Sequence, residues 1–194
     1  MLTEYYNETE LVTELNLVSD KLESMKNGWF GEKLVRLFKK NRQGGKLLQE
    51  LTYNKQKYII EIVWDNSCKK GDFAYNITTR METKNGQIKI SFSRKDAPIF
   101  LYSPHYRKRY RERCEQIACF SYDLKGIKYK RNGKEYELID MDTDIVITRR
   151  GKCEDRLRYW ITALSRDMCT NKNYQELLSR VGTQIDSDDV YEWK

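Results

Sequence analysis

A chain of 194 residues is long enough for one domain or two small ones, and at this size folding hides roughly 70% of the unfolded surface. With 39% hydrophobic residues, 34% charged residues, fourteen Tyr, six Phe, four Trp and only two Pro, it reads as a folded protein with a solvated exterior and not as a disordered one. No run reaches the ~20 apolar residues needed to cross a bilayer, so no membrane partner is expected.

The opening "MLTEYYNETE" is acidic where a secretory signal is basic and then apolar, which makes the expected location cytoplasmic. Five cysteines (Cys68, Cys114, Cys119, Cys153, Cys169) contain no C-x-x-C pair, and the chain has a single histidine. Neither a disulfide framework nor a zinc site follows from such spacing. The net charge of +7 is uneven: residues 1–25 hold six acids and one lysine, residues 186–194 hold four acids and one lysine, and the stretch between carries +15. A basic body is the footprint of a protein that meets a polyanion, with Lys and Arg on phosphates; the alternative is a basic surface that serves solubility alone.

In chain order, "ETELVTELNLVSDKLESM" spaces Leu11, Leu15, Leu17, Val18 and Leu22 near the helical period, and "GEKLVRLFKKN" and "GKLLQELTY" repeat it on either side of Gly44-Gly45. Two or three helices are therefore predicted before residue 53. The period then changes. "KYIIEIVWD" is a short β-branched run, "FAYNITTRMETKNGQIKISFS" alternates about Asn85-Gly86, and "PIFLYS" reads as a strand ending at Ser103. A helix follows, then a hairpin about Asn132-Gly133, a strand in "DIVITRR", a last strand in "RLRYWITALS", a short helix in "NKNYQELLSRV" and an acidic tail. The expected class is α+β: N-terminal helices followed by a mostly antiparallel sheet with an inserted basic helix. The expected division is a helical region over 1–55, an α+β core over 56–180 and an acidic tail over 181–194.

The inserted helix carries the histidine, in "SPHYRKRYRER". Ser103 suits the N-cap and Pro104 the first helical position, which puts His105 in the first turn. At about 100° per residue, Tyr106, Tyr110, Cys114 and Ile117 share one arc and form the expected docking face. His105, Arg109, Glu112 and Gln116 make a separate ridge with Arg113 at its margin, while Arg107, Lys108 and Arg111 cover the remaining side. Side chains lean toward the helix N-terminus, where free N–H groups favour an anion, so His105, Arg109 and Arg113 converge on one phosphate-sized site. Metal-free RNA cleavage needs a base near the ribose 2′-hydroxyl, an acid for the leaving oxygen and cations on the phosphorane. His105 suits the acid or base and the two arginines the clamp. Equally, a lone first-turn histidine on a basic amphipathic helix is a common surface arrangement, and the helix would then supply phosphate contacts only, with Tyr106 or Tyr110 available for stacking.

The spacing S-x-H-x-x-x-R-x-x-x-R in "YSPHYRKRYRER" (Ser103, His105, Arg109, Arg113) resembles the opening motif of a small domain family grouped with the toxin ribonucleases of the RelE and BrnT type. The resemblance spans residues 98–170 and implies a RelE/BrnT-like core, an endoribonuclease activity on RNA, and an antitoxin as partner; apart from the resemblance, a third reading is an interaction protein whose basic helix meets an acidic protein partner. It also implies that "RYWITALSRDM" is the late strand beside the site, with Thr162 and Arg158 near the helix. The 95 residues before the motif and the long connection "IACFSYDLKGIKYK" depart from that pattern. We hypothesise that the acidic first 25 residues cover the basic site in cis, an idea that unchanged RNA affinity after their removal would sink.

Competing sites are weaker. Asp140, Asp142 and Asp144 alternate and share one strand face, but Ile145 stands where a calcium loop needs glycine. Asp72 with Glu82-x-Lys84 has the composition of a metal-dependent nuclease set beside a tight turn. No Walker or dinucleotide loop and no G-x-S-x-G elbow occurs, so no cofactor and no metal is expected.

Overall fold

Asn7 begins the first helix with a capping box: its side chain accepts from Glu10 N at 2.8 Å, and the Glu10 carboxylate accepts from Asn7 N at 3.0 Å. The structure, a computed structural model, describes residues 2, 3, 6–65, 74–113, 126–141, 144–181 and 191–193. The chain forms two units, residues 1–100 and 101–194, where the sequence pattern groups 1–55, 56–180 and 181–194.

In the first unit α1 (Glu8–Lys26) and α2 (Trp29–Lys40) precede β1 (Gly44–Tyr53), β2 (Gln56–Asp65), β3 (Ala74–Thr83) and β4 (Gly86–Phe92), which pair antiparallel in that order. Leu11, Leu15, Val18 and Leu22 are buried as their spacing demands, whereas Leu17 is turned outward. They belong to a core with Tyr58, Ile60, Ile62, Ile77 and Ile90, the inward residues of alternating strands. Tyr75 on β3 donates its hydroxyl to Glu23 on α1 at 2.8 Å, and Ser19 on α1 donates to Ser93 O at 3.0 Å.

The expected helix in "GKLLQELTY" is instead strand β1. Two non-glycine residues at positive φ, Asn54 (47°) and Lys55 (61°), build a two-residue turn that returns the chain along β2, with ten residues in register from Gly44↔Asp65 to Tyr53↔Gln56. Leu47, Leu48 and Leu51 mimic helical spacing, but the ladder decides. Gly45 belongs to the ladder for a steric reason: a Cβ there would lie 2.3 Å from Cζ2 of Trp64, whose indole donates to Asn41 O at 3.1 Å and packs on Phe38 at 4.9 Å.

β5 (Ile99–Tyr102) spans the boundary between the units. The second unit continues with α3 (Pro104–Arg113), β6 (Gly126–Arg131), β7 (Lys134–Asp140), β8 (Asp144–Arg150), β9 (Leu157–Ser165), a 3-10 turn at Arg166–Met168, α4 (Lys172–Arg180) and β10 (Tyr191–Glu192). Its strand order is β5-β9-β8-β7-β6-β10; β6 to β9 are antiparallel, and β10 joins β6 in parallel. The α+β class and the mostly antiparallel pairing agree with expectation. The helices, however, are not gathered at the N-terminus, because α3 and α4 lie in the second unit.

Asn132 (φ 52°) and Gly133 (φ 72°) form the β6–β7 turn that the Asn-Gly pair predicts. The register from that turn sorts the second unit into two faces. Ile127, Tyr129, Leu138, Ile145 and Ile147 share one face and pack with Leu177 of α4, Cys169 and Trp193. Lys128, Lys130, Glu135, Glu137, Thr148, Arg150, Arg158 and Trp160 share the other.

Two buried tyrosines tie the fold to pH. Burial raises the phenol pKa of Tyr58 in the first unit and of Tyr129 in the second far above the ordinary value. Unfolded, each ionises near pH ~10; folded, each keeps its proton, so above that pH the unfolded state binds fewer protons and stability falls by about 1.4 kcal/mol per pH unit per tyrosine. Stability to urea is therefore expected to be level up to pH ~9.5 and to fall steeply above ~10. Tyr58→Phe and Tyr129→Phe should each flatten that fall.

Candidate nucleic-acid interface

Ser103 positions α3 with both ends of its hydroxyl. Its Oγ accepts from Tyr106 N at 3.0 Å and donates to Trp160 O on β9 at 3.1 Å, so one residue caps the helix and ties it to the sheet. Tyr106 is buried and meets Trp160 edge-on at 5.2 Å, with Tyr102 and Tyr110 each at 5.7 Å. Tyr106 thus docks on β9, as the wheel requires, with half-buried Tyr110 beside it; Cys114, Gln116 and Ile117 lie outside the described residues.

His105, Lys108, Arg111 and Glu112 are exposed, and Arg107, Arg109 and Tyr110 are half-buried. Arg109 does not lean toward His105: its guanidinium pairs with Glu112 at 3.2 Å, and Lys108 stands 3.9 Å from the same carboxylate. Arg113 ends the helix, and its side chain is not among those described. The convergence of His105, Arg109 and Arg113 on one anion is therefore not formed by Arg109 as it stands.

The two residues expected from the late strand separate. The β8–β9 register shifts between Ile147 and Thr148, which pair with Thr162 and Trp160 and leave Ile161 as an extra residue. Arg158 consequently shares the face of Trp160, on the α3 side, whereas Thr162 pairs with Ile147 on the α4 face. Thr162 is not brought to the helix.

The same face holds a feature that no motif in the sequence marks. A concave site of about 710 Å³ is lined by six cations (Lys128, Lys130, Lys134, Arg149, Arg150, Lys152) and three acids (Glu135, Glu137, Asp155). Glu137, with its side chain 14% exposed, forms an ion pair with Arg158 Nε at 3.2 Å and accepts from Arg150 Nη2 at 3.4 Å. The fully buried Thr148 hydroxyl lies 3.4 Å from the same carboxylate. Burial pulls the Arg158 guanidinium below its ordinary pKa, and Glu137 opposes that pull. Period-two counting in "GIKYKRNGKEYELI" sets Lys128 opposite Glu137 and Lys130 opposite Glu135 once the turn is placed; the addition of Arg150 and Arg158 depends on two further strand registers.

The other candidates are dispersed. Asp140 pairs with Arg166, Asp144 is buried, and Asp142 and Asp72 lie outside the described residues. Glu82 accepts from Gln87 at 2.6 Å. Cys153 is exposed and Cys169 buried. Among the described residues no group of three or more His, Cys, Asp or Glu could hold a metal, and no helix is long and apolar enough to cross a membrane. Among the acids of α1, Glu10 is engaged in the cap, Glu14 with Asn54, Asp20 with Lys95 and Glu23 with Lys26 and Tyr75. No family model, curated protein or solved structure matches the chain.

Proposed function

We propose that this protein binds RNA, with the concave basic face of the second unit and the exposed cations of α3 holding the phosphate backbone. The observation that carries the reading is the six-cation lining of the site on β6–β8 and the β8–β9 connection. Backbone binding requires cations on a rigid frame and tolerates any base sequence. Lys128, Lys130 and Lys134 lie on or beside one hairpin, while Lys108 and Arg111 are exposed on a helix anchored by Tyr106. An RNA partner, and an antitoxin or other acidic protein competing for the same surface, are parts of this proposal.

The test is titration of a labelled single-stranded RNA oligonucleotide with two triple variants. Replacing Lys128, Lys130 and Lys134 by alanine should weaken binding at least tenfold and make the slope of log affinity against log salt shallower by about 2, at ~0.7 per lost phosphate contact. Replacing Arg107, Lys108 and Arg111 by alanine should act in the same direction. Unchanged affinity in both variants contradicts the reading.

A second reading, metal-independent endoribonuclease action of the RelE/BrnT toxin type with His105 as acid or base, is favoured by the exposure of His105 in the first turn of a capped helix. His105→Ala would then abolish RNA cleavage in excess EDTA and leave affinity intact. Full turnover by that variant removes His105 from the chemistry.

A further inference from the structure

The Glu137 cluster has more order than phosphate binding alone requires. Three neighbouring strands deliver its parts: Glu137 from β7, Thr148 and Arg150 from β8, Arg158 from β9. Both Glu137 and Arg150 line the concave site, while Arg158 holds the carboxylate through Nε at 3.2 Å with its own side chain only 15% exposed. Holding Arg150 and Arg158 in place accounts for a carboxylate in the wall, but not for its opening onto the concave site beside one of those cations. Groups on strands, locked by neighbours, are also the arrangement that holds reacting atoms in fixed geometry.

We propose that Glu137 is the proton acceptor of a metal-free phosphodiester cleavage centre for RNA, with Arg150 as the cation that meets the phosphorane and Arg158 and Thr148 as positioning residues for the carboxylate. The proposal rests on the RNA-binding reading. Glu137 takes the proton of a ribose 2′-hydroxyl, and the 2′-oxygen forms a bond to the adjacent phosphorus. The P–O5′ bond breaks, and the departing 5′-oxygen takes a proton from water. The products are a 2′,3′-cyclic phosphate and a 5′-hydroxyl; Glu137 returns its proton to the hydroxide left by that water, so atoms and charge balance. Arg150 stabilises charge that grows as the phosphorane forms, the task a preorganised cation performs best.

The experiment uses the full chain in excess EDTA with a 5′-labelled single-stranded RNA and the same oligonucleotide carrying 2′-deoxyribose throughout. Wild type should cleave the RNA to 2′,3′-cyclic phosphate ends and leave the deoxy oligonucleotide whole. Glu137→Gln should cut the rate by at least ~100-fold, with RNA bound as tightly as by wild type or tighter. Should Glu137→Gln fail to fold, Glu137→Asp carries the test through the same loss of rate at retained affinity. Wild type that binds RNA without cleaving it, or a Glu137→Gln enzyme that cleaves at the wild-type rate, overturns this assignment and leaves RNA binding standing. Wild type that binds no RNA overturns both.

Discussion

Trp160→Ala is expected to cost about 3–5 kcal/mol, the usual range for emptying a buried tryptophan site. The indole is 3% exposed and holds Tyr102 at 5.1 Å and Tyr106 at 5.2 Å. Among the described residues these rings are the principal apolar link between α3 and the sheet, because α3, "PHYRKRYRER", is nearly all polar apart from its two tyrosines. An isolated ten-residue helix is marginal in water, so its order depends on that docking. The variant should melt of order 10 °C lower and lose the α3 share of RNA affinity, even though position 160 touches no phosphate in the proposed interface. Hydrogen exchange of the α3 amides alongside thermal denaturation checks both effects. A variant with native melting and protected α3 amides would show that α3 is held by something other than its aromatic face.

Glu137→Ala is expected to destabilise by about 3–5 kcal/mol, because removing one partner leaves a buried charge without compensation. Arg158 would lose the carboxylate that meets its Nε at 3.2 Å, at a side-chain exposure of 15%, and Arg150 would lose its partner at 3.4 Å. Two guanidinium groups on adjacent strands would then face each other across the site of the deletion. The double variant Glu137→Ala/Arg158→Met should recover much of the loss, since it deletes the orphaned charge and keeps apolar volume. Urea denaturation of the two single variants and the double variant measures the coupling. Equal stability of Glu137→Ala and wild type would mean that solvent already compensates Arg158.

How much of the fold and the site was legible in the sequence depended on whether the deciding contact was local. Ser103-Pro104 marks a helix start through its own side chain and ring, and Asn132-Gly133 marks a turn through its own positive φ values, so both elements stood where local chemistry put them. The segment at 44–53 went the other way. Its three leucines fit a helical period, but a turn at Asn54-Lys55 and a ten-residue ladder with β2 outweighed that preference. The aromatic docking face of α3 followed from spacing alone, whereas the turn of Arg109 toward Glu112 required knowledge of which rotamer its own helix offers. The separation of Thr162 from Arg158 was beyond reach, because one extra residue at Ile161 reverses every face after it. The Glu137 cluster was hidden for a related reason: its residues are close only after three strand registers are fixed.

Whether the second unit meets RNA through its phosphates is decided most directly by the affinity of the full chain for a labelled single-stranded RNA, measured between about 50 and 200 mM salt. Phosphate contacts predict binding that weakens steadily with salt, with a log–log slope of about −3 or steeper, corresponding to at least four neutralised phosphates at ~0.7 each. No binding at the lowest salt, or an affinity that does not change across the range, would contradict RNA binding through the phosphates.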